Sequence, residues 1–151
     1  SEGKDGGASE MINYPVDTPF FVTQFFDALL ENESCAAQYH AYLEQLAREY
    51  VSAGKFAETY QRIRTQIDGL VKTDPTAFYT YDEYDAGANM LFDVVSLRAE
   101  SVLGQLSGAI PATKESQKES KEAFVDASEV DVKVMGVMNM EKMEKRKENK
   151  K

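Results

Sequence analysis

The hydrophobic positions of this chain recur at helical spacing in four separate stretches. The first stretch has Phe21, Phe25 and Leu29 one turn apart after Pro19, and it is so apolar that its helix is expected to be nearly buried. Side chains three or four residues apart lie on one face of an α-helix, so each stretch predicts a helix with one apolar face. The second and third stretches repeat this spacing at Ala36, Tyr39, Leu43, Leu46 and Tyr50, and at Phe56, Tyr60, Ile63, Ile67 and Leu70.

A fourth and longer stretch follows a loop that carries two helix-boundary signals. Asp74-Pro75 ends the third helix, because proline disfavours helical geometry in the residue before it. Thr80 and Glu83 have the spacing of a capping box, in which each side chain accepts a hydrogen bond from the other residue's backbone N–H. The fourth helix is therefore predicted to start at this box and to end near Gly108, and its apolar positions are Ala88, Leu91, Val95, Val102 and Leu106.

Four helices joined by short loops predict an all-α fold, an antiparallel bundle of about four helices. An extended arm is expected before the bundle at residues 11–19, because Pro15 and Pro19 each bias the preceding residue toward extended geometry. A flexible or partly ordered tail is expected after the bundle. The chain is therefore divided into a flexible N-terminal segment at 1–10, a helical subdomain at 11–112 and a charged, Met-containing linker or tail at 113–151.

The tail contains one alternating segment and a group of methionines. Val130, Val132 and Val134 alternate with polar residues, which is typical of one face of a β-strand. Such a strand has no obvious partner in this chain, so the segment is either an interaction segment or part of a linker. Methionines can form a soft binding surface, but a compositionally biased linker is favoured for Met135, Met138, Met140 and Met143.

The composition is that of one globular domain. The chain has 151 residues, of which 42% are hydrophobic, enough for a single core. No apolar run approaches the ~18 residues needed to cross a bilayer, so no membrane span is expected. Residues 1–10 are polar and glycine-rich, unlike a signal peptide. The one cysteine, Cys35, excludes an intrachain disulfide and is expected to be a small buried side chain near a helix start.

The net charge of −9 is unevenly distributed along the chain. Residues 1–113 hold seven Lys and Arg against 17 Asp and Glu, whereas residues 114–151 hold ten against nine. Phosphate binding needs clustered positive charge, so the acidic helical part argues against a nucleic-acid partner. The basic end at 142–151 is interrupted by glutamates and is interpreted as a solvated tail.

Few residues of this chain could carry catalysis. The single histidine, His40, lies at the flank of the second helix and is expected at a surface or boundary. One histidine and one cysteine cannot supply the ligands of a zinc site, and no glycine-rich phosphate loop is present. No catalytic residue, metal or cofactor is therefore assigned to this chain. Asp82, Glu83 and Asp85 cluster at a helix start, where the helix dipole favours anions, with a divalent-cation site as the alternative.

Arg98 interrupts the apolar face of the longest helix. It lies three residues after Val95 and four before Val102. A guanidinium at the edge of an apolar face is costly to desolvate alone, so a carboxylate partner is expected from another helix or from a missing part of the protein. A structural ion pair is favoured over ligand binding.

Several segments of the chain resemble the C-terminal part of the CotH family. They are MINYPVDTP, YHAYLEQLAREYVSAGKF, KTDPTAFYTYDEYDAG and LRAESVLGQLSGAIP, and together they cover roughly residues 11–112. The DPTAFYTYDEY and LRAESVLGQL segments are the specific ones. The resemblance implies an atypical, spore-coat-protein-H-like protein kinase that uses ATP and Mg or Mn to phosphorylate serine or threonine. The parent is expected in the spore coat, at the cell surface or secreted, in a bacterium.

The resemblance also implies what this chain lacks. In the family, a metal-binding aspartate lies in a Trp-Asp-x-Asn-x-x-Phe-Gly-like segment just before the region that NYPVDTP matches. Neither that segment nor the nucleotide-binding lysine is present in this sequence. Phosphoryl transfer depends on such positioned metal and cationic groups, so the chain is expected to be non-catalytic by itself. The residues nearest the missing segment, and hence the candidates for contact with the active site, are Asn13, Tyr14 and Asp17.

The sequence thus predicts a non-catalytic helical C-terminal fragment of a CotH-like protein kinase. Its expected partner is the rest of the parent kinase domain, with a protein substrate or self-association through an exposed apolar face as further candidates. The alternative is a stand-alone helical protein-protein interaction module. The two differ in surface, because a kinase fragment should expose an apolar patch of several hundred Å² and an autonomous module should be polar away from its groove.

Overall fold

The described residues form an all-α structure. The computed structural model describes residues 7–18 and 24–136, and none of these residues is in a β-strand. The predicted all-α fold is confirmed. The elements are α1 (Ala8–Ile12), α2 (Gln24–Glu31), α3 (Glu33–Gln45), a π-helical segment (Leu46–Ser52), α4 (Lys55–Thr73), α5 (Tyr81–Leu106), α6 (Lys114–Glu119) and a 3-10 turn (Val132–Met135).

The longest helix, α5, is the axis on which the other elements pack. Helices α1, α3 and α4, the π-helical segment and the 3-10 turn all contact it. Its start is the predicted capping box: Thr80 Oγ1 accepts from the Glu83 N–H, and a Glu83 carboxylate oxygen accepts from the Thr80 N–H at 2.8 Å. Within the described ranges, no helix is both long enough and apolar enough to cross a membrane.

The second predicted helix consists of α3 and the π-helical segment that continues it. Asn32 caps α3, since its Oδ1 accepts from the N–H groups of Ser34 and Cys35. The prediction that Cys35 is buried was wrong, because this first turn of α3 is exposed. Gly54, with φ of 91°, separates the π-helical segment from α4, as the sequence predicted.

Helix α2 corrects a second expectation about burial. Residues 19–23, which include Phe21 and the expected start of this helix, lie outside the described residues. Phe25 and Leu29 were expected to be nearly buried, but Phe25 is 69% exposed and Leu29 is also exposed. The apolar spacing predicted the helix correctly, because spacing reports which side chains share a face and not what covers that face.

The N-terminal arm starts later than predicted. Residues 11–19 were expected to be extended throughout, but Met11 and Ile12 form the end of α1. The boundary expected at residue 10 therefore lies inside a short helix whose Ala8 and Ile12 are fully buried. Residues 13–18, called the arm below, are non-helical, as the prolines require.

The C-terminal segment was expected to contain a strand, and this prediction was wrong. Val132–Met135 is a 3-10 turn whose first turn is stabilised by the Asp131 side chain, which accepts from the Lys133 N–H at 3.0 Å. Val130 is buried, whereas Val134 is exposed. The segment packs its apolar side chains onto helices α1 and α5. The methionines at 138, 140 and 143 and the basic end lie outside the described residues.

Two apolar clusters and a group of buried polar side chains form the core. One joins α1, α5 and the C-terminal segment through Ala8, Ile12, Val94, Ala127 and Val130. The other joins the arm, the π-helical segment and α5 through Val16, Ala47, Ala99 and Val102. The buried polar side chains are joined by hydrogen bonds and are called the polar layer below: Asn13, Ser101, Gln105 and Gln117.

Candidate functional site

Asn13 is the centre of the polar layer that holds the arm. Its side chain is buried and makes four hydrogen bonds. Nδ2 donates to the carbonyls of Ser9 and Val125, while Oδ1 accepts from the Val125 N–H at 2.9 Å and from Ser101 Oγ at 3.1 Å. Its backbone carbonyl accepts from Gln117 Nε2 at 2.8 Å. Since all of these groups are satisfied, the amide is fixed in one orientation.

Gln105 of α5 binds the backbone of the arm directly. Its Oε1 accepts from the Val16 N–H at 2.9 Å, and its Nε2 donates to the Tyr14 carbonyl at 3.2 Å. Nε2 also lies 3.1 Å from Ser101 Oγ, one turn earlier on the helix. Because the arm is non-helical, its backbone N–H and carbonyl groups lack helical partners, and the Gln105 side chain takes the place of those partners.

Arg98 binds the same arm, although not in the expected way. Its Nη1 donates to the carbonyls of Ile12 at 2.9 Å and Tyr14 at 2.6 Å. Among the residues that the structure describes, no carboxylate lies within ion-pair distance of Arg98, so no ion pair with another helix is found there. An ion pair with a carboxylate from outside this chain stays a prediction. The carbonyls at the end of α1 supply the negative partial charge instead. Burial lowers the pKa of the Arg98 guanidinium.

The other side of the arm is bound to α3. His40 Nε2 lies 2.6 Å from Asp17 Oδ1, and the Tyr39 hydroxyl donates to the Val16 carbonyl at 2.8 Å. The Asp17 N–H donates to the Ala112 carbonyl at 2.9 Å. Burial, and to a lesser degree the Asp17 charge, raise the pKa of the Tyr39 hydroxyl. His40 was expected at a boundary, and it is half-buried there.

The structure therefore gathers the predicted residues into one constellation. Asn13 is fully buried, Tyr14 is held through its carbonyl and Asp17 lies at the partly exposed end of the arm. The side chains that bind these arm residues were not predicted from the sequence. Ser101 and Gln105 could have indicated them, because they are two polar residues one turn apart within the apolar face of α5.

A second polar cluster, also missed, joins α4 to α5. Arg64 of α4 donates through Nε to both carboxylate oxygens of Asp68 at 2.7 and 2.9 Å, and pairs through Nη2 with Asp85 of α5. The Tyr60 and Tyr84 rings lie 5.7 and 5.3 Å from its guanidinium carbon. The Arg64 hydrogen bond holds the pKa of the Asp68 carboxyl below its ordinary value. The cluster fixes α4 against α5.

The carboxylates at the start of α5 are not gathered into a metal site. Glu83 is engaged with Thr80 in the capping box, and Asp85 is engaged with Arg64. In the described part of the chain, no group of three or more His, Cys, Asp or Glu side chains could hold a metal ion. The ATP and the divalent metal that the resemblance implies for the parent do not fit these residues, so no chemical step is assigned to them.

One apolar face of α4 is left exposed. One row of α4, at four-residue steps from Phe56, faces α5. Phe56 stacks on Phe92 with ring centroids 5.3 Å apart, and the Tyr60 ring centroid lies 4.9 Å from that of Phe92. Arg64 and Asp68 continue the row with polar contacts. The neighbouring row of α4 is apolar and exposed, and it is called the outer stripe below. Its residues are Ile63 (43% exposed), Ile67 (36%) and Leu70 (68%).

Comparisons with known proteins identify the family. Neither a curated protein nor a solved structure matches the chain. A family model described as CotH kinase protein matches residues 4–102, which include the arm, the outer stripe and most of α5. The chain therefore belongs to the CotH kinase protein family.

Proposed function

We propose that this chain is the C-terminal helical part of a CotH-type protein Ser/Thr kinase, and that it supports the kinase core without catalysing phosphoryl transfer by itself. The observation that carries this proposal is the outer stripe of α4. In a helix that packs on a single neighbour, the apolar row faces that neighbour and the polar row faces water. In α4, the C-terminal half has the reverse arrangement, with Arg64 and Asp68 facing α5 and the stripe facing outward.

The outer stripe has the properties of a docking face within a larger domain. Burying a branched aliphatic side chain stabilises a contact by about 1.5–3 kcal/mol, so three such residues in one row are a strong contribution to an interface. The polar cluster behind the stripe holds α4 in place, which presents the stripe as a rigid surface. The rest of the kinase domain is the occupant that family membership favours.

The arm supports the same proposal independently of the outer stripe. By the family resemblance, the arm follows the segment that carries the metal-binding aspartate. Asn13 and Tyr14 are fixed to α5 by side chains that bind their backbone atoms. A buttress of this kind holds a neighbouring catalytic segment in position, which is what phosphoryl transfer requires of the protein. Asn13, Tyr14 and Asp17 are then positioning candidates, and no catalytic residue is assigned.

The test of this proposal is a phosphate-transfer assay on two proteins. The purified chain and the complete CotH kinase that contains it are each incubated with ATP, Mg²⁺ or Mn²⁺ and a serine-containing protein substrate. We expect transfer by the complete kinase and none by the chain. Transfer by the purified chain that is lost in the Asp17→Asn or Arg98→Met variant would overturn the proposal.

A stand-alone interaction module is the competing function, and the outer stripe distinguishes the two. Chromatography of the purified chain at several concentrations reports whether its exposed apolar face self-associates. A chain whose stripe belongs to a domain interface should associate at high concentration and become monomeric on Ile67→Glu. A chain that is monomeric at all concentrations, and whose variant behaves the same, would favour the autonomous module.

A further inference from the structure

Residues 113–135, called the clasp below, contact both the arm and α1. In the sequence they lie outside the region that matches the family. The family match ends at residue 102, whereas the clasp begins with α6 and ends with the 3-10 turn. At its start the Lys114 N–H donates to Thr18 Oγ1 at 2.8 Å, and Gln117 Nε2 donates to the Asn13 carbonyl at 2.8 Å. The clasp therefore contacts both ends of the arm.

Asn13 binds the clasp as one peptide group binds another. Its carboxamide accepts from the Val125 N–H at 2.9 Å and donates to the Val125 carbonyl at 3.0 Å. Two parallel hydrogen bonds to one residue fix the position of that residue along the chain. Gln117, which is also buried, adds a bond from the clasp to the backbone carbonyl of Asn13 and donates to the Pro111 carbonyl as well, each at 2.8 Å.

The apolar contacts of the clasp are separate from those of the helical bundle. Ala127 and Val130 of the clasp pack on Ala8 and Ile12 of α1 and on Val94 of α5. The bundle cluster instead uses Val16, Ala47, Ala99 and Val102. A unit held to a long helix by one apolar cluster and a few polar bonds opens at a lower free energy than the core of that helix.

We infer that the clasp is a latch, by which we mean a segment that unfolds locally while the helices it packs on stay folded. The clasp and α1 open together as one unit while α3, α4 and α5 stay folded. This opening releases Asn13 from the clasp. The Asn13 side chain then loses both bonds to Val125, and its carbonyl loses Gln117. The arm remains attached through Arg98, Gln105 and Tyr39, so it is loosened at its N-terminal end. The consequence for catalysis rests on the proposed function, whereas the opening itself is a property of this chain.

Residue-resolved amide hydrogen exchange on the complete chain tests the latch. The reporters are the amides of Asn13, Gln117, Val125 and Val130, which have acceptors at 2.9–3.0 Å, and the amide of Val102 inside α5. We expect the four latch amides to share one opening free energy, below that of Val102. Four unrelated opening free energies, or a common value equal to that of Val102, would overturn the inference.

A matched pair of variants on α6 sharpens the measurement. Gln117→Ala removes the bond to Asn13, and Lys118→Ala changes an exposed neighbour on the same helix. Gln117→Ala should accelerate exchange at Asn13, Val125 and Val130 roughly 10-fold or more while leaving Val102 unchanged, and Lys118→Ala should change none of them. Equal acceleration at Val102, or none at Val125, would contradict the latch. The readout is independent of phosphate transfer, so a failed latch is distinguishable from a failed functional proposal.

Discussion

Arg64 of α4 and Asp85 of α5 form an ion pair at the place where two amphipathic helices would ordinarily bury apolar side chains. The Arg64 side chain is only 11% exposed, and Asp68 and two tyrosine rings surround its guanidinium. A charged pair at a helix contact specifies how the helices meet more than it stabilises them. Beside this pair, the apolar residues Ile63, Ile67 and Leu70 of α4 are exposed and form an outward surface.

The Arg64 cluster makes the stability of the chain depend on pH. Arg64 holds the pKa of the Asp68 carboxyl below its ordinary value of 3.8. The stabilisation is therefore complete above that value and is lost as the pH falls through the lowered pKa of the folded state. Asp68→Asn should lower the melting temperature at pH 7, and the difference from the wild-type chain should shrink below about pH 4. Thermal melts of both proteins from pH 7 downward measure this; a constant difference would contradict it.

Gln105 should be among the most sensitive polar positions of the chain. Gln105→Ala leaves the Val16 N–H without its acceptor and removes a donor from the Tyr14 carbonyl, both at a buried site. We expect a loss of about 2–3 kcal/mol in the free energy of unfolding. Denaturant unfolding gives the value, with Gln66→Ala on the exposed side of α4 as a control that should change it by under about 0.5 kcal/mol. Equal effects of the two variants would show that the arm is not held by Gln105.

Two helical glycines should respond in opposite directions to the same substitution. A Cβ at Gly69 of α4 would meet no atom within 4 Å, so Gly69→Ala should stabilise the chain by about 0.5–1 kcal/mol. A Cβ at Gly104 of α5 would lie 2.6 Å from Ile110 Cδ1, a buried side chain, so Gly104→Ala should destabilise it by about 1 kcal/mol or more. Adding Ile110→Val, which deletes that atom, should recover part of the loss. Denaturant unfolding gives the free energy of unfolding of each of the three variants. Stabilisation by Gly104→Ala would contradict the close contact between Gly104 and Ile110.

The helices could be predicted because their signals are local. The Thr80–Glu83 capping box and the Asp74-Pro75 stop depend on neighbours within a few residues, and both ends lie where they were expected. Burial depends on the fold as a whole. The same apolar spacing describes Phe56, which stacks on Phe92, and Ile67, which is exposed. Spacing identified the face of α4 but could not say which row of that face meets α5.

The partners of the candidate site residues could not be predicted from the sequence. Arg98 was recognised as an anomaly in an apolar face, but its partners are backbone carbonyls 84 and 86 residues away in the chain. Backbone acceptors carry no side-chain signature, so no residue type marks them in a sequence. The clasp was missed for a related reason, because Val125 is held through its N–H and carbonyl by Asn13.

The measurement that tests the central claim most directly is the phosphate-transfer rate of the complete CotH kinase carrying Ile67→Glu. Ile67 is exposed in this chain, so the substitution should leave the melting temperature of the isolated chain nearly unchanged. In the complete kinase it places a carboxylate in the proposed interface, and the rate should fall at least roughly 10-fold, whereas Gln66→Glu should leave the rate unchanged. A complete kinase with Ile67→Glu that transfers phosphate at the wild-type rate would contradict the account.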